Sequence, residues 1–81
     1  MNTKIAVIGI IIENFDSVEA LNQILHDYSD IIIGRLGLPY KEKSINVISI
    51  AVDAEESVVN ALSNEIAALD GVSSNAVVSS K

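Results

Sequence analysis

The residues of this chain that could do chemistry are few, and most stand alone. There is one histidine, His26, one arginine, Arg35, and no cysteine. One His without Cys cannot build a closed soft-metal site within a chain, and thiol catalysis has no nucleophile. Apart from Ser29, three residues after His26, the serines have no histidine near them in sequence, and no nucleophile–base pair stands out. No P-loop, dinucleotide-type glycine pattern or EF-hand loop is present. The residues therefore point away from an enzyme and call for no cofactor and no metal.

Arg35 is the most distinctive of them. It lies between Gly34 and Gly37, inside the otherwise apolar stretch Ile31 to Pro39. A guanidinium fork can hold a carboxylate bidentately, whether from a ligand or from an acidic residue of another subunit. The alternative is a charge on an edge strand that discourages aggregation. His26 precedes Asp27 late in a helical stretch, where positive charge is favoured by the helix C-terminus. It reads either as a surface residue or as a contact at a subunit or ligand interface. The candidate ligand or interface residues are thus Gly34, Arg35, Gly37 and His26.

The elements that must position these residues follow from hydrophobic period and turn chemistry. Thr3 to Ile12 is rich in Ile and Val and predicts a first strand. Asp16 followed by Glu19 fits a capping box, and Val18, Leu21, Ile24, Leu25 and Tyr28 then recur at helical spacing. Asn22, Gln23 and Asp27 fall mostly on the other side, and the helix should fade near Ser29-Asp30. Ile31 to Pro39 predicts a second strand, with pairing expected to end or bulge at Pro39 because proline lacks an N–H. Tyr40 to Ser44 is a charged hairpin turn, and Ile45 to Val52 a third strand. Asp53 and Glu56 repeat the capping box, with Glu55 and Glu56 well placed for the helix dipole. Val58, Val59, Leu62, Ile66 and Leu69 mark the inner face of a second helix, which Asp70-Gly71 stops with Gly71 as the C′ residue. Val72 to Ser79 is a weaker last strand.

The order β-α-β-β-α-β, in two halves of about 40 residues, predicts an α+β, ferredoxin-like βαββαβ fold. Right-handed crossovers place both helices on one face of a four-stranded antiparallel sheet. The other face is left bare, and a wet sheet face should be polar. Here the first strand is apolar in both registers: Ala6, Ile8, Ile10 and Ile12 in one, Ile5, Val7 and Ile11 in the other. In the third strand, Ile48, Ile50 and Val52 form one set and Ile45, Val47 and Ala51 the other. The second adds Ile31 and Ile33, or Ile32 and Leu36, depending on register. An apolar face of this kind marks an interaction site, and self-association as a homodimer or homotetramer is the expectation.

Composition narrows the class further. The 81 residues leave room for one domain, 1–81, of marginal stability on its own. Aromatic residues make up only 4% against a hydrophobic fraction of 49%, so the chain has core formers but no stacking platform for bases. The net charge of −6 repels phosphate backbones, and direct nucleic-acid binding is not expected. Met1 to Ile12 reads as a buried strand rather than a signal peptide, and no stretch approaches the ~20 apolar residues of a membrane span. A soluble, cytoplasmic protein without membrane contact is the expectation.

At Gly34-Arg35-Leu36-Gly37-Leu38-Pro39 the chain resembles the small regulators associated with iron-only hydrogenase systems, whose domain is similar to ACT domains and to the C-terminal domain of the nickel-responsive regulator. The resemblance includes Asn22, Leu25, His26 and Tyr28-Ser29-Asp30, then Ile31 to Tyr40, then Ile48-Ser49-Ile50. Ala61-Leu62 through Leu69-Asp70-Gly71-Val72 matches in shape. It implies a self-associating, non-catalytic regulatory domain linked to transcription through a protein partner or a small-molecule effector. The alternative it implies is an ACT-type sensor of an amino-acid-like small molecule at a subunit interface, with Arg35 and its glycines forming the pocket. Three features depart from these patterns. Ser63-Asn64-Glu65-Ile66 replaces a Gly-Lys-Leu-Gly-like segment, the histidines and cysteine of a square-planar nickel site are missing, and the turn Glu13-Asn14-Phe15-Asp16 lacks the ACT glycine.

Overall fold

The computed structural model describes residues 2–81. Its elements are β1 (Thr3–Ile12), a 3-10 turn (Phe15–Ser17), α1 (Val18–Asp27), β2 (Ile32–Tyr40), a second 3-10 turn (Lys41–Lys43), β3 (Ile45–Glu55), α2 (Glu56–Ala67) and β4 (Val72–Val78). The strands form one sheet in the order β2-β3-β1-β4, with every neighbouring pair antiparallel. This is the ferredoxin-like arrangement that the element order implies.

The core lies between the sheet and the helices. In β1 the even residues from Ala6 to Ile12 are fully buried and the odd ones face outward. Ile48, Ile50 and Val52 of β3 lie on the buried side, opposite Ile10, Ile8 and Ala6. Leu21 and Leu25 of α1, with Val59, Leu62 and Ile66 of α2, close the core from above. Each such side chain removed from water contributes about 1.5–3 kcal/mol, the main term opposing chain entropy in a domain this small.

Both capping expectations are corrected. Asp16 does not cap α1: the N-cap is Ser17, whose side chain makes no cap hydrogen bond. Asn14 caps the 3-10 turn instead, its Oδ1 accepting from the Asp16 N–H at 3.0 Å. Its Nδ2 donates to Asp70 Oδ2 at 2.7 Å, and Ser17 Oγ donates to the Asp70 carbonyl at 2.6 Å. Asp53 does not cap α2 either, because β3 runs on to Glu55 and Asp53 pairs with Ile5 in the ladder. Three more ladder pairs outweigh one side-chain cap.

Gly71 is not the C′ residue. The helix ends at Ala67 with Ala68 as its cap, and Gly71 sits in the following turn, which Val72 N–H closes onto Leu69 O at 3.2 Å. Its φ of 69° suits glycine, and a Cβ there would stand 2.5 Å from Asn14 Cβ. Glu13 N–H also donates to Gly71 O at 2.7 Å, so the two turns at this end of the sheet are latched together.

Pro39 does not end strand pairing. It stands opposite Asn46, and pairing continues to Tyr40 opposite Ile45. On an edge strand a missing N–H is tolerated. The irregularity falls instead between Ile32 and Gly34. That bulge resolves the register of β2: Ile32 lies on the core side opposite Val52, and Leu36 lies outward opposite Ser49.

Candidate functional site

Two surfaces of the sheet carry features that the core does not require. The first is a cleft of about 390 Å³ between α1 and β2. Asn22, His26 and Ser29 reach it from α1 and the turn behind it, and Arg35 reaches it from β2. Helical spacing brings Asn22 and His26, at i and i+4, onto one face of α1, and the turn that follows the helix carries Ser29. The bulge explains Arg35. It returns the strand to register with Arg35 opposite Ile50, on the helix side of the sheet. Leu25, which is buried, and the half-buried Ile32 form the apolar floor.

The chain's single histidine and single arginine thus line one cleft. Among the described residues, neither side chain makes a hydrogen bond or an ion pair; the one ion pair is Lys4 to Glu56 at 3.7 Å. The two glycines are placed elsewhere. Gly34 faces outward opposite Ala51, and Gly37 borders a separate depression with Leu38, Pro39 and Asn46. A Cβ at either glycine would meet nothing within 4 Å. Asn22 and Ser29 are cleft residues that the sequence reading did not select. Their spacing with His26 is the signal that marks them.

The second surface is the open face of the sheet. Val77, Val7 and Ala51 form one cross-strand row, and Ser73, Ile11, Val47 and Leu38 another. Between them runs a row with little side-chain bulk at its centre: Asn75, Gly9, Ser49, then Leu36 at the edge. The result is a trough of about 390 Å³ over Gly9. A Cβ at Gly9 would meet only Asn75 O, at 4.0 Å, so the trough is open space rather than a close backbone approach. The flanking rows are exposed, Val7 by 45% and Ile11 by 44%, and so is Leu36 at the edge of the middle row, by 69%.

One polar contact ties the helices together. Tyr28 Oη donates to Glu65 Oε2, joining the end of α1 to α2. This bond to a carboxylate, followed by burial and the charges of Glu65 and Asp27, pushes the Tyr28 phenol above its usual range. Among the described residues there is no group of three or more His, Cys, Asp or Glu placed to hold a metal ion. No helix among the described residues is long and apolar enough to cross a membrane.

The arrangement is that of a ferredoxin-like α+β domain with an apolar sheet face. Comparison with known proteins gives the family. Residues 4–76 match the TM1266-like family, described as "Iron-only hydrogenase system regulator, putative", and the chain belongs to it. Among solved structures it is similar to the uncharacterized protein TM1266 from Thermotoga maritima, with a TM-score of 0.91 at 22% identity over 95% of this chain and 98% of that one. It also matches CPII from Thiomonas intermedia K12, a nitrogen regulatory PII-like protein bound to ADP, AMP and bicarbonate. That likeness has a TM-score of 0.46 at 18% identity over 98% and 99% of the two chains and carries no argument about this one. A search of the curated proteins finds no match.

Proposed function

We propose that this chain is a non-catalytic regulatory module of an iron-only hydrogenase system that works as a self-associated unit, two copies meeting through their open sheet faces. The observation that carries this reading is the pair of apolar rows flanking Gly9. Four strands about 4.8 Å apart and strands about 30 Å long give a face of roughly 550 Å² in plan, before side-chain relief is added. A stable interface buries roughly 800 Å² from each partner, about 15% of the 5238 Å² this chain exposes. The face is of the right order. Any link to transcription then runs through a protein partner or an effector, since a charge of −6 opposes contact with nucleic acid.

The test is thermal. An associating chain melts at a temperature that rises with its own concentration. The expected result is such a rise for the native chain and none for Ile11→Asp. A melting temperature independent of concentration in the native chain would remove this reading.

A second reading, that of a small-molecule sensor, is favoured by one observation. His26 and Arg35 share a cleft on the helix side of β2, away from the face proposed for pairing. The cleft therefore stays open in a face-to-face pair, and an effector could bind there without competing with the second copy.

A further inference from the structure

We infer that the cleft between α1 and β2 takes a small organic oxyanion, a carboxylate or a phosphate on a short apolar body. This deepens the sensor reading and rests on it. The chain has 11 acidic residues against 5 basic ones, and its only arginine and only histidine line this one cleft. In so acidic a protein an arginine has many carboxylates to pair with, yet Arg35 pairs with none among the described residues. Its fork is free to hold two oxygens of one ligand, the geometry at which arginine surpasses lysine.

The rest of the wall supplies what such a ligand needs. His26, the Asn22 amide and the Ser29 hydroxyl can each donate a hydrogen bond. Leu25 and Ile32 offer an apolar floor for the body of the ligand. The volume of about 390 Å³ lies within the range of small-molecule sites, roughly 300–1,000 Å³. The carbonyls at the end of α1 could oppose an anion here, but two of them are already occupied. Tyr28 N–H donates to Ile24 O at 3.2 Å, and Ser29 N–H to His26 O at 3.1 Å. The net charge of −6 repels anions at long range, so binding depends on these short-range contacts.

The experiment is a thermal-shift titration of the full chain with butyrate, methyl phosphate, inorganic phosphate and, as a neutral match to butyrate, butyramide. Butyrate or methyl phosphate is expected to raise the melting temperature at millimolar concentration, and butyramide is not. A response to butyrate alone identifies a carboxylate ligand, and one to the phosphates alone a phosphate ligand. Arg35→Ala is expected to weaken the response roughly tenfold or more, with Arg35→Lys between the two. Asn60→Ala, at an exposed position of α2 outside both surfaces, should leave it unchanged. A response to butyramide equal to that of butyrate would overturn the oxyanion assignment while leaving a small-molecule site. An oxyanion response that survives Arg35→Ala would overturn the cleft as its location. Absence of any response up to about 50 mM would overturn both the inference and the sensor reading on which it rests.

Discussion

β1 and β2 look alike as sequence and behave differently as structure. Both are apolar, rich in branched residues and interrupted by glycine. β1 sits between two strands and beneath the helices, so it has one sealed face and one open one. β2 lies at the sheet edge, and every residue from Ile33 to Tyr40 is exposed, with Leu36 at 69% and Leu38 at 59%. The open side of β1 is a half-strand's worth of apolar surface. β2 adds a nearly uncovered strand beside it. Neither adds to the packing of a single chain, and a second copy of the kind proposed above would cover both.

The contrast can be broken by substitution. Ile8 is fully buried, and Ile8→Ala should cost about 3 kcal/mol in urea denaturation. Leu36→Ala on β2 should cost less than about 0.5 kcal/mol when measured dilute enough to keep chains apart. Equal losses at the two sites would mean that β2 is as deeply packed as β1, and the contrast would fail.

The glycines sharpen it. Gly71 holds the turn latched to the end of β1, and Gly71→Ala should cost roughly 2 kcal/mol or more from its positive φ and the clash with Asn14. Gly37→Ala on β2 meets open space and should be close to neutral. Asn14→Ala, which removes the turn's cap and its bond to Asp70, should cost about 1 kcal/mol.

The smallest effect is one of pH. Tyr28 holds its proton more tightly in the folded chain because its hydroxyl donates to Glu65. The folded state therefore binds more protons than the unfolded one once the unfolded phenol titrates. The contribution is fully present below the unfolded value of 10.0 and is lost as pH rises through the higher folded value. Denaturation midpoints should fall above pH 10 in the native chain, and Tyr28→Phe should remove that part of the fall. An unchanged slope in Tyr28→Phe would assign the fall to other groups.

The elements were legible because hydrophobic period speaks directly to burial. The alternation of Ala6, Ile8, Ile10 and Ile12 against Ile5, Val7 and Ile11, and the stripe of Val59, Leu62 and Ile66, needed no tertiary information. The caps were not legible. A carboxylate three residues before another looks the same whether or not the strand ahead of it keeps pairing, and β3 kept pairing past Asp53. Asn14 gains its role from Asp70 and Gly71, which are more than fifty residues away. The cleft was half legible. Arg35 stood out by its type and setting, but its place in one cleft with His26 depends on a bulge at Ile33 that moves the strand by one position. Without that shift Arg35 would face the open side of the sheet.

The most direct test of the central claim is sedimentation equilibrium of the native chain across low to high micromolar concentration, with Ile11→Asp run beside it. The account predicts a mass of at least two chains for the native protein and of one chain for the variant, with the variant's circular dichroism unchanged. A native chain that sediments as a monomer across the whole range would contradict it.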